Sequence, residues 1–506
     1  MISLKRNPET KFIYQLENNY RKIKISHYII NKRYEIIDKM ITELPNRIKR
    51  TVAFSISFLL LISSFFNTSA MEGELVEGNS QGDYPHAITQ VSPVALNGVF
   101  SEDSIRNKLF FHFTKFLSRD DKEQLREVSK KYRDFIDLTF FGPVYDSTMR
   151  VTPYSSEISG GRIGTHIFEL LEQARRRIII ASDQCTNEEF LDDLSTLQEN
   201  RQIEGRPLDI FIVTGEHPGT KKALNSKPRS FISLAVPSNN DSARSGKMHN
   251  KFIIVDNDFV ITGSPNLTFA AYNYNIESFV AIYHQFVAKL YFHYYQYIIS
   301  GARYDYTREE YRHVQKLMHI FNTAPDNPIR VCLAPILDIK TFVIGELNAS
   351  QDIDINMFLI SRASAAVMGD DIVANLLAAH HGGAGVTIKV DYNQYEQTTY
   401  MSSALAPLQT VGANIYTVLK HSEGMQTKTK TIVTKPQFHD KLILIKQRED
   451  DSKKVIIGSA GFTDNVQDNL NLENMVLIKV PEVYDFLLDH FNSINDSITS
   501  LDVKKI

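Results

Sequence analysis

Apolar positions along the chain change their period, and each change marks an element. Between 101 and 138 they recur at helical spacing. Leu109, Phe110, Phe113, Phe116 and Leu117 form one face, and Leu125, Val128, Tyr132, Phe135 and Ile136 form a second, as two amphipathic helices require. "SRDD" (118–121) between them is a Ser/Asp cap signal. Beyond Pro153 the pattern alternates. A helix is expected over 164–177, with Ile167, Leu170, Leu171 and Ala174 turned inward. A buried strand follows at 178–182, a helix at 187–201 and a strand at 208–215. This is the βαβ rhythm of an α/β domain. It returns as a strand over 354–361, a helix over 370–381 and a strand over 386–392.

The two stretches also finish alike. "NIESFVAIYHQFVAKLYFHYY" starts at Asn275 and "NLENMVLIKVPEVYDFLLDHF" at Asn471. Each runs Asn, aliphatic, Glu, strand, helix. The chain therefore reads as a duplicated α/β unit, with lobes expected over 151–325 and 326–506. A single pair of lobes in one chain makes a monomer sufficient.

Ahead of these units the composition shifts. "NRIKR" (46–50) precedes an uncharged apolar run at 51–66, and "NTSA" (67–70) follows. Basic, apolar and small residues in that order form a secretory signal, and the apolar run is shorter than the ~20 residues of a typical membrane-spanning helix. Residues 1–70 are read as signal and long n-region, with cleavage expected after Ala70, Met40 as an alternative start and an uncleaved anchor as the other reading. Residues 71–100, rich in Gly, Ser, Asn and Pro, read as a linker, and 101–150 as a small helical segment. Residues 1–70 hold 12 basic and 5 acidic side chains, so the remaining 44 basic against 54 acidic leave a net charge of −10. Such a protein is not built to coat nucleic acid non-specifically. Two cysteines, Cys185 and Cys332, suggest neither a disulfide framework nor a zinc site.

Chemistry concentrates in two places. Of fifteen histidines, two have Lys at the second position after them, His249-Asn-Lys251 and His439-Asp-Lys441. Each opens an aliphatic strand, "FIIV" or "LILI", and each strand leads to Gly-Ser, at Gly263-Ser264 and Gly458-Ser459, and then to Glu277 or Glu473. Residues two apart in a strand share a face. A lone His-x-Lys is usually a solvated strand edge, but a constellation repeated in full is not. Neutral imidazole is a usable nucleophile toward phosphorus, and a second imidazole can protonate the departing oxygen. Lysines with Ser and Asn donors can hold non-bridging oxygens. Glu277 and Glu473 are the candidates to fix the imidazole tautomers.

His249-x-Lys251-x4-Asp256-x6-Gly263-Ser264-x-Asn266 resembles the HKD motif of the phospholipase D superfamily. The resemblance implies an α/β fold of duplicated phospholipase D-like lobes, each a mixed sheet flanked by helices, forming a pseudo-dimer around one cleft. It implies a two-step displacement through a phosphohistidine, with no metal and no cofactor. His249, Lys251, Asp256, His439, Lys441, Glu277 and Glu473 would be catalytic, and Ser264, Asn266 and Ser459 would bind the substrate phosphate. The second copy departs from the pattern. Lys446 stands in place of the Asp and Gly461 in place of the Asn, and "KQREDDSKK" (446–454) reads as a hydrophilic hairpin insertion. The intact first copy makes His249 the expected nucleophile and His439 the expected general acid.

Other features are read as structure. "SGGRIG" (159–164) is a turn opening a helix, since it lacks the Walker Lys-Ser/Thr. His380-His381 end a helix before Gly382, and the aromatic run at 290–298 is core packing. Residues 109–137 resemble an F-box, which implies docking to a Skp1-type host adaptor; the other reading is a helical hairpin packed on the catalytic lobe. The expected protein is an exported phospholipase D-type enzyme, periplasmic, secreted or delivered to a eukaryotic host, with a phospholipid or membrane surface as substrate. A nuclease of the same superfamily, with nucleic acid as substrate, and a catalytically weak binding effector are the alternatives.

Overall fold

The structure, a computed structural model, describes residues 149–506 except 160–161, 239–245, 302–306, 325–326, 348–349, 362–370, 421–424, 427–430, 433–435 and 497–500. The signal, linker and F-box-like readings over 1–138 lie outside the described residues. No described helix is long and apolar enough to cross a membrane.

The first lobe runs β1 (Arg150–Ser155), α1 (Ile163–Leu171), β2 (Arg177–Ser182), α2 (Glu188–Ile203), β3 (Asp209–Gly215), α3 (Pro218–Asn225), β4 (Ile232–Val236), β5 (Lys251–Val255), β6 (Phe259–Gly263), α4 (Phe269–Asn273), β7 (Ser278–Tyr283), α5 (Gln285–Ile299) and α6 (Glu309–Thr323). Its strands form one seven-stranded sheet in the order β1-β7-β6-β5-β2-β3-β4. The β2–β3 and β3–β4 pairs are parallel and the rest antiparallel, so the sheet is mixed.

The second lobe repeats the plan with β8 (Ile329–Leu333), α7 (Ile339–Leu347), β9 (Ser350–Met357), α8 (Ile372–His381), β10 (Gly385–Asp391), α9 (Tyr392–Gln397), α10 (Thr399–Thr410) and β11 (Asn414–Lys420). A short ribbon of β12 (Met425–Gln426) and β13 (Thr431–Ile432) precedes β14 (Lys441–Gln447), β15 (Lys453–Gly458), α11 (Asp464–Gln467), β16 (Asn474–Ile478), α12 (Pro481–Asp496) and β17 (Leu501–Lys505). The sheet order β17-β11-β10-β9-β14-β15-β16-β8 matches the first sheet strand for strand, with β17 added at one edge. The duplication expected from the sequence is present in the topology.

β5 and β14 sit near the middle of their sheets and are buried along nearly their whole length. Both faces are covered by helices, so these strands are continuously apolar rather than alternating. Each buried Ile, Leu or Val there contributes roughly 1.5–3 kcal/mol. The aromatic run in α5 is core, as expected: Tyr291, Tyr294 and Tyr297 are almost fully buried. Cys185 and Cys332 are both free and buried.

Two boundaries differ from expectation. The helix expected over 164–177 ends at Leu171. Asp256, in the left-handed region at φ 58°, accepts the backbone N–H groups of Arg175 (3.0 Å), Arg176 (2.8 Å) and Arg177 (2.9 Å). Those amides are thereby committed to a turn entering β2. The strand expected over 354–361 instead spans 350–357, because Phe358 leaves the sheet and turns to the cleft.

Candidate active site

His249 lies two residues before β5, and Glu473 one residue before β16 of the other lobe. A parallel bridge joins these approaches, Met248 with Leu472, closed by His249 N–H to Leu472 O (2.9 Å) and Leu472 N–H to Lys247 O (2.9 Å). The mirror arrangement joins Ile276 with Phe438, with His439 N–H to Ile276 O (3.0 Å) and Ile276 N–H to Gln437 O (2.9 Å). The Asn of each Asn-x-Glu step clamps the crossing. Asn471 Oδ1 accepts Lys247 N–H and Asn275 Oδ1 accepts Gln437 N–H, both at 3.0 Å.

This crossing decides the partners of the two histidines. His249 Nδ1 lies 2.8 and 2.9 Å from the Glu473 carboxylate oxygens. His439 Nδ1 lies 2.9 and 3.1 Å from those of Glu277. Each imidazole is thus oriented by the opposite lobe's glutamate, leaving Nε2 as the atom free for chemistry. Each glutamate is held in turn by an amide, Asn471 and Asn275 donating at 3.0 Å.

The serines have a different task from the one expected. Ser264 Oγ donates to Glu277 and Ser459 Oγ to Glu473, both at 2.5 Å, and both hydroxyls are fully buried. This corrects the expectation that Ser264 and Ser459 hold substrate phosphate: each hydroxyl is spent on a glutamate behind the imidazole. The preceding glycines are set by crowding. A Cβ on Gly263 would lie 2.3 Å from Ser278 O, and one on Gly458 2.2 Å from Asn474 O.

Lys251 and Lys441 are buried and fold back on their histidines. Lys251 Nζ donates to His249 O (3.0 Å). Lys441 Nζ donates to His439 O (2.7 Å) and lies 3.1 Å from His439 Nε2. Asp256 stands apart, at the far end of β5 beyond Val255, where it binds backbone amides. Five residues of strand, roughly 17 Å, separate it from Lys251, so the grouping of Asp256 with the catalytic residues is corrected to a turn-forming role.

Both imidazoles line one cavity of about 560 Å³, together with Asp183, Lys247, Asn266, Phe269, Phe358 and Gln437 among others. Asp183 is the residue the sequence reading missed. Its carboxylate lies 3.9 Å from His249 Nε2 and 3.8 Å from Lys247 Nζ. The equivalent residue after β9 is Phe358, whose ring centroid is 4.9 Å from that of His439. Neither carried a spacing signal; each is merely the first residue after a buried strand.

Burial governs the electrostatics. It holds His249 well below its ordinary value, with Lys251 and Lys247 adding to the effect, and it raises Glu473. Both members of that pair are thus pushed toward their neutral forms. His439 is lowered by burial too, with Glu277 opposing. Burial brings Lys251 down to about 8 and Lys441 down to about 7. For Asp183 burial acts upward, but His249, Lys251 and Lys247 outweigh it and hold the carboxyl low. Among the described residues no group of three or more His, Cys, Asp or Glu is disposed to hold a metal ion.

A family profile described as "Cardiolipin synthase, PLD-like domain" matches residues 167–299 and 344–495, more than half of the chain. The chain belongs to the phospholipase D-like family. The two matched segments contain the two crossed motifs. No curated protein sequence matches this phospholipase D-like chain. Among solved structures it is similar to phosphatidylserine synthase of Haemophilus influenzae Rd KW20, at 13% identity and TM-score 0.45, over 70% of this chain and 87% of that one. It is similar to Nuc of Salmonella typhimurium, a phospholipase D family member, at 20% identity and TM-score 0.26, over 35% and 97%. Yeast tyrosyl-DNA phosphodiesterase is similar at 12% identity and TM-score 0.38, over 65% and 90%.

Proposed function

We propose that the protein is an exported phospholipase D-type enzyme that cleaves phospholipids at the headgroup side of the phosphate and can pass the phosphatidyl group to water or to another alcohol. One observation carries the reading: both imidazoles, each held at Nδ1 by the opposite lobe's glutamate, line the same cavity. In-line displacement at phosphorus needs a nucleophile on one face and a proton donor on the other. One neutral imidazole attacks through Nε2 and becomes a phosphohistidine, its Nδ1–H fixed by the glutamate. The other protonates the departing oxygen, a step typically worth ~10²–10⁴-fold, and then takes a proton from the attacking water or alcohol. The two lysine ammoniums stabilise the charge on the non-bridging oxygens.

Lipid is favoured over nucleic acid by the Phe269 and Phe358 rings in the cavity wall. Apolar rings suit an acyl chain more than a sugar-phosphate backbone, and the acidic balance outside residues 1–70 weighs against a polyanion. Export rests on the basic, apolar, small-residue order of 46–70, and adaptor docking on the F-box-like pattern at 109–137. N-terminal sequencing that finds residues before Met71 on the exported protein would remove the first. Equal adaptor recovery by wild type and a Leu125/Val128/Tyr132 charge variant would remove the second.

The activity is tested by incubating the full protein with phosphatidylcholine vesicles and with plasmid DNA in EDTA. Choline release lost in both His249→Ala and His439→Ala is the expected result. Nicking of DNA without choline release transfers the reading to a nuclease. An absence of turnover on either substrate leaves a binding role.

A further inference from the structure

The residue between motif histidine and lysine differs between the lobes, and so does the helix residue behind it. In the first lobe Asn250 donates its amide to the Tyr294 hydroxyl (3.2 Å), a neutral pair. Tyr294 follows Glu277 by the same interval that His490 follows Glu473, so the second lobe's counterpart is Asp440 with His490. There imidazole Nε2 lies 3.1 Å from carboxylate Oδ2, and both side chains are wholly buried. A carboxylate only accepts, so Nε2 of His490 carries the proton.

Asp440 has three further donors. They are the Ser278 hydroxyl (2.5 Å), the Asn356 amide (3.1 Å) and the backbone N–H of Lys441 (3.0 Å). Ser278 adjoins Glu277, the partner of His439, and Asn356 lies on β9. One carboxylate therefore ties α12, β9, the crossing strand from the first lobe and the motif lysine together.

The cleft is unequal in the opposite sense, because Asp183 has Phe358 as its counterpart. Each motif lysine thus has one extra carboxylate, placed in the cleft for Lys251 and beneath the strand for Lys441. A buried ammonium stays charged only with anionic neighbours. Lys441 is lowered by burial and by Lys251, and supported by Glu277, Asp440 and Glu473. Lys251 is lowered by burial and by Lys247, and supported by Asp183, Glu473 and Glu277.

We propose that Asp440 is a positioning residue: clamped by His490, Ser278 and Asn356, it fixes Lys441 and supplies from beneath the strand the negative charge that Asp183 supplies from the cleft in the first lobe. The proposal rests on reading the two-motif cleft as a working phosphodiesterase. It gives the second motif's lysine a carboxylate neighbour although Gly461 and Phe358 stand where the first has Asn266 and Asp183.

The test installs the first lobe's neutral pair in the second, as Asp440→Asn with His490→Tyr in the full chain. Thermal melting reports the fold, kcat/KM on bis(p-nitrophenyl) phosphate is followed against pH, and Lys441 is titrated by NMR of isotope-labelled lysine. The expected result is a cooperative melt with the alkaline limb of kcat/KM and the Lys441 titration both moved down by about half a pH unit or more. An unmoved limb and an unmoved Lys441 titration in a folded variant overturn the proposal. Asp440→Asn alone is read by the same criteria should the double variant fail to fold. If the wild type turns over no phosphodiester, the functional reading falls, and the Lys441 titration still decides this one.

Discussion

In the first lobe the motif strand ends in Asp256, whose carboxylate gathers three backbone amides. In the second, Lys446 occupies that place and pairs with Asp451 across the hairpin turn (3.3 Å). The first lobe offers Asn266 to the cleft where the second has Gly461, and Asp183 where the second has Phe358. Behind these differences the core of the site is the same twice over. The His–Glu contacts are 2.8 and 2.9 Å in one half, 2.9 and 3.1 Å in the other, and both Ser–Glu bonds are 2.5 Å. The strand-end group and part of the cleft lining have been exchanged, whereas the groups that orient the two imidazoles have not. The lobes share one cleft, so each need only keep what the other cannot supply.

A cleft shared in this way makes the two histidines equally indispensable. His249→Ala and His439→Ala should each lower kcat/KM on a phosphodiester by about 10³-fold or more. A loss below tenfold for His439→Ala would show that the altered half is a spectator. The glutamates come next, with about 10²-fold losses for Glu277→Gln and Glu473→Gln. The crossing has its own signature: Glu473→Gln should move the NMR titration of His249 and leave that of His439, and Glu277→Gln the reverse. Movement of the same-lobe histidine would break the crossed pairing.

Gly263→Ala and Gly458→Ala should each destabilise the fold by about 1–3 kcal/mol in urea unfolding, since each new Cβ meets a backbone oxygen within 2.3 Å. Equal penalties are expected, because the strand crowding is the same in both lobes. A smaller, unequal effect is expected at the altered positions. Asn266→Gly should cost about tenfold in kcat/KM, the scale of one hydrogen bond to a charged group. Gly461→Asn should recover less than that, because its Cβ would stand 3.3 Å from Leu359 O.

The mildest perturbation is pH. With Lys441 near 7 and Lys251 near 8, the ammoniums are present below those values and lost above them. kcat/KM should therefore decline on the alkaline side from about pH 7, and Lys441→Gln should remove the earlier of the two steps. A flat profile to pH 9 would show that the lysines stay charged in the free enzyme.

Much of the architecture was legible because it is written in periodicity. The strands at 178–182, 208–215 and 386–392 and the helices at 187–201 and 370–381 follow from local apolar spacing, and they fall where expected within a residue or two. The helix ending at Leu171 escaped notice because its end is set by Asp256, some eighty positions away. Ser264 and Ser459 were assigned to phosphate because composition cannot say whether a hydroxyl faces a cleft or a neighbouring carboxylate.

What the sequence by itself determined was the set of candidate reacting groups and their duplication. Two His-x-Lys steps before aliphatic strands, each followed by Gly-Ser and Asn-x-Glu, are local patterns that backbone periodicity preserves. Only the tertiary structure decided which glutamate serves which histidine, and that Asp183, Phe358 and the Asp440–His490 pair surround them. The histidines and their glutamates are brought together by the bridges between lobes, Met248 with Leu472 and Ile276 with Phe438, and the other neighbours by strand pairing and helix packing inside each lobe. Contacts across such a distance along the chain depend on how two buried sheets dock, which no local spacing encodes.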